Sequence, residues 1–99
     1  MTAILLTERR TDRGLMVTAC DAEALGETYE EGELSITVNE SFYGGEEVEE
    51  DDVVAALSRA NVGNLVGTRT VKLAVEAGVI EEANVLDIAE TRHAQFLRM

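Results

Sequence analysis

The chain has 99 residues, of which 20 are acidic and eight basic, for a formal net charge of −12 at pH 7, and a single one of the eight cations, Lys72, is a lysine. That length suits a single domain over residues 1–99, and a hydrophobic share of 45% is too high for a disordered chain. No apolar run approaches the ~20 residues of a bilayer span, a lone cysteine, Cys20, excludes an internal disulfide, and Met1 to Leu6 lack the basic and apolar regions of a signal peptide, so a reducing cytoplasm without membrane contact is expected.

The opening Met1-Thr2-Ala3-Ile4-Leu5-Leu6 reads as a strand. Ala3–Arg9 and Leu15–Asp21 are two β-rich runs around Thr11-Asp12-Arg13-Gly14, with Asp12 suited to the turn and Gly14 free to adopt a left-handed conformation. Asp21 to Gly26 reads as one helical turn, N-capped by Asp21 and stopped by Gly26. Glu33–Asn39 alternates, placing Leu34, Ile36 and Val38 on one face of a half-buried strand. Phe42-Tyr43-Gly44-Gly45 then reads as a loop whose glycines permit unusual backbone angles. Val53, Val54, Leu57 and Ala60 follow Glu49-Glu50-Asp51-Asp52 at helical spacing, and those four carboxylates face the positive end of the helix dipole. A second helix is predicted from about Gly67 to Ala77, ending at Gly78, with Val71, Ala74, Val75 and Gly78 inward. Residues 61–69 join the two helices in this reading. Asn84–Ala89 and Ala94–Arg98 close the chain as strands around Glu90-Thr91-Arg92-His93. The order is ββ(α)βααββ, which predicts an α+β fold: a small, mainly antiparallel sheet with a helical hairpin on one face.

Charge is unevenly distributed. Residues 14–58 hold thirteen acids and no base, so a polyanion contact must use the two ends of the sequence. An acidic, lysine-poor surface is also the composition of a salt-rich cytoplasm, because screening shortens from roughly 8–10 Å at ordinary ionic strength to about 3 Å at molar salt. A halophilic origin is the expectation. The run Glu46 to Asp52 lacks the alternating ligand order of a calcium loop and reads as hydrated surface plus helix-start charge.

Candidate binding residues fall in four groups. Arg9, Arg10 and Arg13 cluster at the first hairpin, either ion-paired with Glu8 and Asp12 or free to fork onto phosphate. Tyr43, with Gly44 and Gly45, either presents an aromatic at a rim or closes the core. Gly63, Asn64 and Gly67 place glycines and an asparagine before a helix start, where exposed N–H groups can hold an anion, with Arg69 and Lys72 three apart on that helix; the alternative is a tight turn capped by Asn64. His93 and Gln95 complete the set. His93 has no companion ligands at metal spacing, Cys20 ends an apolar strand as a buried thiol would, and no catalytic residue, metal or cofactor is assigned.

Phe42-Tyr43-Gly44-Gly45, Asn64-Leu65-Val66-Gly67, Ala74 to Gly78 and His93-Ala94-Gln95, together with Ala19-Cys20-Asp21 and Leu25-Gly26, resemble the motifs of an archaeal family catalogued as domain of unknown function 424. The resemblance covers nearly the whole chain. It departs at Glu90-Thr91-Arg92, where the family has a Gly-Val-Pro-like turn. An archaeal, cytoplasmic, stand-alone small domain is implied, with no activity attached.

The residues favour a small non-catalytic binding module serving RNA or ribonucleoprotein machinery of the translation type. Two other readings stand beside it. One is a protein–protein adaptor, or a self-associating chain, that offers Glu33–Asn39 as an unpaired edge strand. The other is a small enzyme with His93 as acid/base in a cleft with Gln95, Asn64 and Tyr43.

Overall fold

The computed structural model describes residues 3–98 as a six-stranded sheet, a separate two-stranded hairpin and three α-helices. The α+β class and the mainly antiparallel sheet stand as expected; the order does not. It runs ββββαβαβαββ. The strand reading at Met1 and Thr2 lies outside the described residues.

Strands β1 (Ile4–Thr11) and β2 (Gly14–Asp21) form the expected hairpin with Asp12 and Arg13 as its turn. Gly14 has φ +106°, and a Cβ there would overlap the side chain of Asn61, whose Oδ1 accepts from Leu15 N at 3.0 Å. Beyond β2, residues 22–24 make a 3-10 turn, and Gly26 ends it with φ +83°. A hairpin not foreseen follows, β3 (Thr28–Glu31) with β4 (Leu34–Thr37). The predicted strand at 33–39 is therefore already paired along one edge in a sheet of its own. Leu34 is exposed because it sits at the hairpin's tip, Ile36 is half-buried and Val38 is fully buried.

Residues 40–43 are a short helix, α1 (Glu40–Tyr43), with Asn39 Oδ1 accepting from Ser41 N at 2.8 Å. The acidic run contributes β5 (Glu46–Val48), an edge strand on β1. Helix α2 (Glu50–Arg59) begins where the carboxylates predicted, and the Asp52 side chain accepts from Glu49 N at 3.1 Å. Helix α3 (Thr68–Glu76) ends before Gly78, which takes φ +78° but is exposed rather than part of the inner face.

The main correction lies between these helices. Residues 62–66 are not a loop but a strand, β6 (Val62–Val66). It pairs in parallel with β2 and antiparallel with β8 (Thr91–Leu97), which in turn pairs with β7 (Leu86–Ile88). The sheet order is β5-β1-β2-β6-β8-β7, so β6 is a central strand and the two main helices are separated by it. His93 likewise lies within β8 instead of a turn; the turn is Ala89-Glu90, with Ala89 at φ +51°.

Two cores share this sheet. Helices α2 and α3 cover one face, packing Val53, Leu57, Val71 and Ala74 on Ile4, Leu6, Val17, Ala19, Leu65 and Ala94. On the other face, α1 and the β3–β4 hairpin bury Cys20 and Val66 against Ala24, Val38 and Tyr43. That second layer covers one end of the face.

Asp21, at the end of β2, joins sheet to helix. It does not cap the 3-10 turn that follows it. Its carboxylate, 4% exposed, accepts from Arg69 N (3.1 Å), Thr70 N (2.9 Å) and Thr70 Oγ1 (2.7 Å), occupying the N-terminus of α3. Gly67, at φ +119°, allows this approach, since a Cβ would overlap that carboxylate. Charge-assisted hydrogen bonds contribute about 1.5–3 kcal/mol each, and an N-cap roughly 0.5–2. Asp21→Ala should therefore lower stability by about 2–3 kcal/mol, with Asp21→Asn milder. Denaturant unfolding at molar salt checks this, and a loss for Asp21→Ala below about 0.5 kcal/mol, the level of an ordinary surface change, would refute it.

Candidate functional site

Strand register sorts the sheet into rows, and in-register residues share a face. On the face away from α2 and α3, one row is Leu5, Cys20, Val66 and His93, continued by Leu86 on β7. The next is Thr7, Thr18, Asn64 and Gln95. A third is Arg9, Met16, Val62 and Leu97. The first row lies under the second layer at Leu5, Cys20 and Val66, the last two fully buried, while His93 is half-buried and Leu86 exposed. Away from it the face opens: Asn64, Met16 and Val62 are half-buried, while Gln95 and Leu97 are exposed.

Asn64 and Gln95 are direct partners across β6 and β8, so their carboxamides stand side by side on this open area. His93 lies two residues along the same strand, a diagonal of roughly 7–8 Å from Asn64's position. Arg13 reaches the same region from the hairpin turn and lines a groove of about 370 Å³ with Val62, Asn64, Gln95, Phe96 and Leu97. Asn64, His93 and Gln95 are thus brought together, whereas Tyr43, the fourth residue of the cleft expected from the sequence, is not among them. Met16, Val62 and Leu97 were missed; alternation along Ala94–Arg98 is the signal that marks Leu97.

The remaining candidates lie elsewhere. The Arg9 guanidinium donates to Phe42 O (3.1 Å) and Ser41 O (3.0 Å) and lies 5.3 Å over the Phe42 ring, so it fastens α1 to the sheet. Arg10 is on the helix face, beside a cavity lined also by Glu8, Leu15, Arg59 and Asn61. Tyr43 is 6% exposed, edge-on to Phe42, and belongs to the core rather than a rim. Burial pushes its hydroxyl up to about 12, with Cys20 adding to the rise. Gly44 has an ordinary φ of −64°; the pair are glycines because a Cβ would overlap Glu40 O at one and Leu6 O at the other. Gly63 lies under the Phe96 ring, which occupies the place of its missing side chain.

At the start of α3 the predicted anion site is filled from within by Asp21. Arg69 is committed to Glu50, its Nε 2.8 Å from Oε2. Lys72 is exposed beside a cavity that also carries Asp21, Glu23, Glu50 and Glu76. Cys20 is fully buried, its thiol donates to Tyr43 O at 4.0 Å, and burial with the neighbouring Asp21 pushes it up to about 11. It remains protonated at neutral pH and is a packing residue. No group of three or more His, Cys, Asp or Glu suited to a metal ion occurs among the described residues.

The molecule is a twisted α+β sheet protein, half-covered on one face, with amide and apolar side chains on the uncovered part. The family model for the protein of unknown function DUF424 matches residues 8–99, and the chain belongs to that family. Its fold is similar to the crystal structure of an uncharacterized conserved protein from Methanopyrus kandleri, at 21% identity and a TM-score of 0.78 over 98% of this chain and 94% of that one. No curated protein matches the chain. No helix among the described residues is long and apolar enough to cross a membrane.

Burial lowers the pKa of His93 from its ordinary 6.5. The folded protein therefore binds a proton there less readily than the unfolded chain. Its contribution is fully present above pH 6.5 and declines as pH falls below that value towards the depressed folded pKa. His93 is the sole histidine. Stability should fall as pH drops below 6.5, before the carboxylates titrate, and His93→Gln should remove that slope; unfolding curves at stepped pH in molar salt test it, and an unchanged slope would refute it.

Proposed function

We propose that this chain is a small non-catalytic binding module of an archaeal, salt-rich cytoplasm, associated with RNA or ribonucleoprotein machinery, and that the uncovered sheet face is its contact surface. The observation that carries this reading is the disposition of cations around that face. Arg59, Arg69 and Arg92 are spent on carboxylates, and Arg9 and Arg98 on carbonyls and aromatic rings. Arg13, which lines the open face, and Arg10, on the helix face of the same hairpin, have no ion-pair partner among the described residues. Lys72 is also without an ion pair among these residues but stands beside Asp21, Glu23, Glu50 and Glu76, so on the open face Arg13 is the cation left to fork onto an anion outside the chain. High salt removes most counterion-release affinity, so overall acidity does not oppose RNA binding by hydrogen bonds and shape.

Capture of the tagged protein from a salt-rich lysate, with sequencing of bound RNA, should enrich a defined RNA. Arg10→Ala with Arg13→Ala should reduce that capture several-fold, and recovery of no RNA would overturn the reading. The halophilic part has its own check. Circular dichroism and hydrodynamic radius should report loss of compact structure as salt falls well below about 1 M, because screening then lengthens. Full folding in dilute buffer would contradict it.

A further inference from the structure

The groove at Arg13 differs in charge from the rest of the surface. Carboxylates line each of the other four described cavities: Glu8, Glu46 and Asp52 in the first, Asp21, Glu23, Glu27 and Glu90 in the second, Asp21, Glu23, Glu50 and Glu76 in the third, and Glu8 in the fourth. None lines this one; its single charge is the Arg13 guanidinium. The remaining walls are two carboxamides, Asn64 and Gln95, the apolar Val62 and Leu97, and the main chain at Phe96, whose ring lies on the other face over Gly63. The groove is complementary to a ligand that carries one anionic group, a face that tolerates apolar contact, and an edge with hydrogen-bond donors and acceptors.

We infer that this groove holds one unpaired nucleotide of an RNA strand, its base on Val62 and Leu97, its edge against Asn64 and Gln95, and its phosphate at Arg13. The inference rests on the binding-module reading above and names the recognition element within it. Three features favour a nucleotide over an acidic peptide. First, β2 and β6 are paired on both sides and β8 loses its β7 partner only beyond His93, so an added strand, which is how extended peptides gain affinity on sheets, would find no more than the short edge of residues 94–97 and none on the β6 side that carries Val62 and Asn64. Second, Asn and Gln side chains each present a donor and an acceptor, the pattern that pairs with a base edge. Third, a volume of about 370 Å³ lies at the small end of the roughly 300–1,000 Å³ typical of ligand pockets, which fits a single residue of a polymer. In molar salt the amide and apolar contacts carry the affinity, and the arginine orients the backbone.

The test is titration of the intact protein, at molar salt, with labelled short single-stranded homopolymers of adenylate, cytidylate, guanylate and uridylate, read by fluorescence anisotropy. One base should be preferred. Asn64→Ala and Gln95→Ala should each weaken that oligomer about tenfold and flatten the preference, within the range for loss of a bidentate base contact. Arg13→Ala should weaken all four homopolymers to a similar extent, and Glu81→Gln, at a carboxylate that does not line the groove, should change nothing. Circular dichroism of each variant confirms that it is folded. Wild-type affinity in the Asn64 and Gln95 variants, with lysate RNA still captured, would overturn the groove assignment and leave the binding module standing. Displacement of the oligomers by poly-glutamate at equal affinity would overturn it in favour of an acidic peptide. Failure of both oligomer binding and RNA capture would remove both readings together.

Discussion

The Asp21 carboxylate is the interaction on which the arrangement depends. It stands at the end of β2 and receives two backbone N–H groups and one hydroxyl from the first turn of α3. Because β2 and β6 are parallel, their C-terminal ends lie together, and the chain leaves β6 through Gly67 directly into that helix. A buried anion at a helix N-terminus meets both the dipole and the unpaired donors there, so a site open to external phosphate in other proteins is closed here by the molecule itself. In the reading proposed above, an external anion is met instead on the opposite face of the sheet, at Arg13.

The same division runs through the charges. On the helix-covered side and around Asp21, three arginines are matched: Arg69 to Glu50, Arg59 to Glu8, and Arg92 to Asp87 and Glu82. These pairs lie at the surface, where ion pairs contribute about 0–1 kcal/mol and less in salt. Their effect is to neutralise local charge rather than to hold the fold. What holds it is apolar: fully buried Val17, Ala19, Leu57, Leu65, Val71 and Ala74 on one side, Cys20, Val38 and Val66 on the other. The uncovered part of the second face is left with side chains that are neither acidic nor fully buried.

Local chemistry made several elements legible before any coordinates. Gly14 closes the first hairpin, the carboxylates before Val53 start α2, and Gly78 follows the end of α3. Residues 61–67 were misread for a physical reason. Asn61, Gly63 and Asn64 are turn residues by propensity, but each has a tertiary role: Asn61 accepts from Leu15 N, Gly63 makes room for Phe96, and Asn64 faces the open sheet. A central strand with one partner ring in place of a side chain carries no period-two signature. Edge strand β5 was hidden in the same way, since Glu46 and Glu47 are exposed and charge is what an edge tolerates. Of the site, the pairing of Asn64 with Gln95 followed once β6 was known. The burial of Tyr43 and the capture of Arg9 by the carbonyls of α1 needed the tertiary fold.

The central place of β6 also dictates the sequence of events during synthesis. The hairpin β1–β2 can form as soon as its own residues are made, but its inner edge stays bare until residues 62–66 arrive, and β6 in turn has an open side until β8 is made. Forty residues separate Asp21 from Val62, and closing such a span costs chain entropy before it returns any contact. The chain therefore presents apolar strand edges until residues 62–66 and 91–97 have been made, the interval in which edge-to-edge association is the hazard.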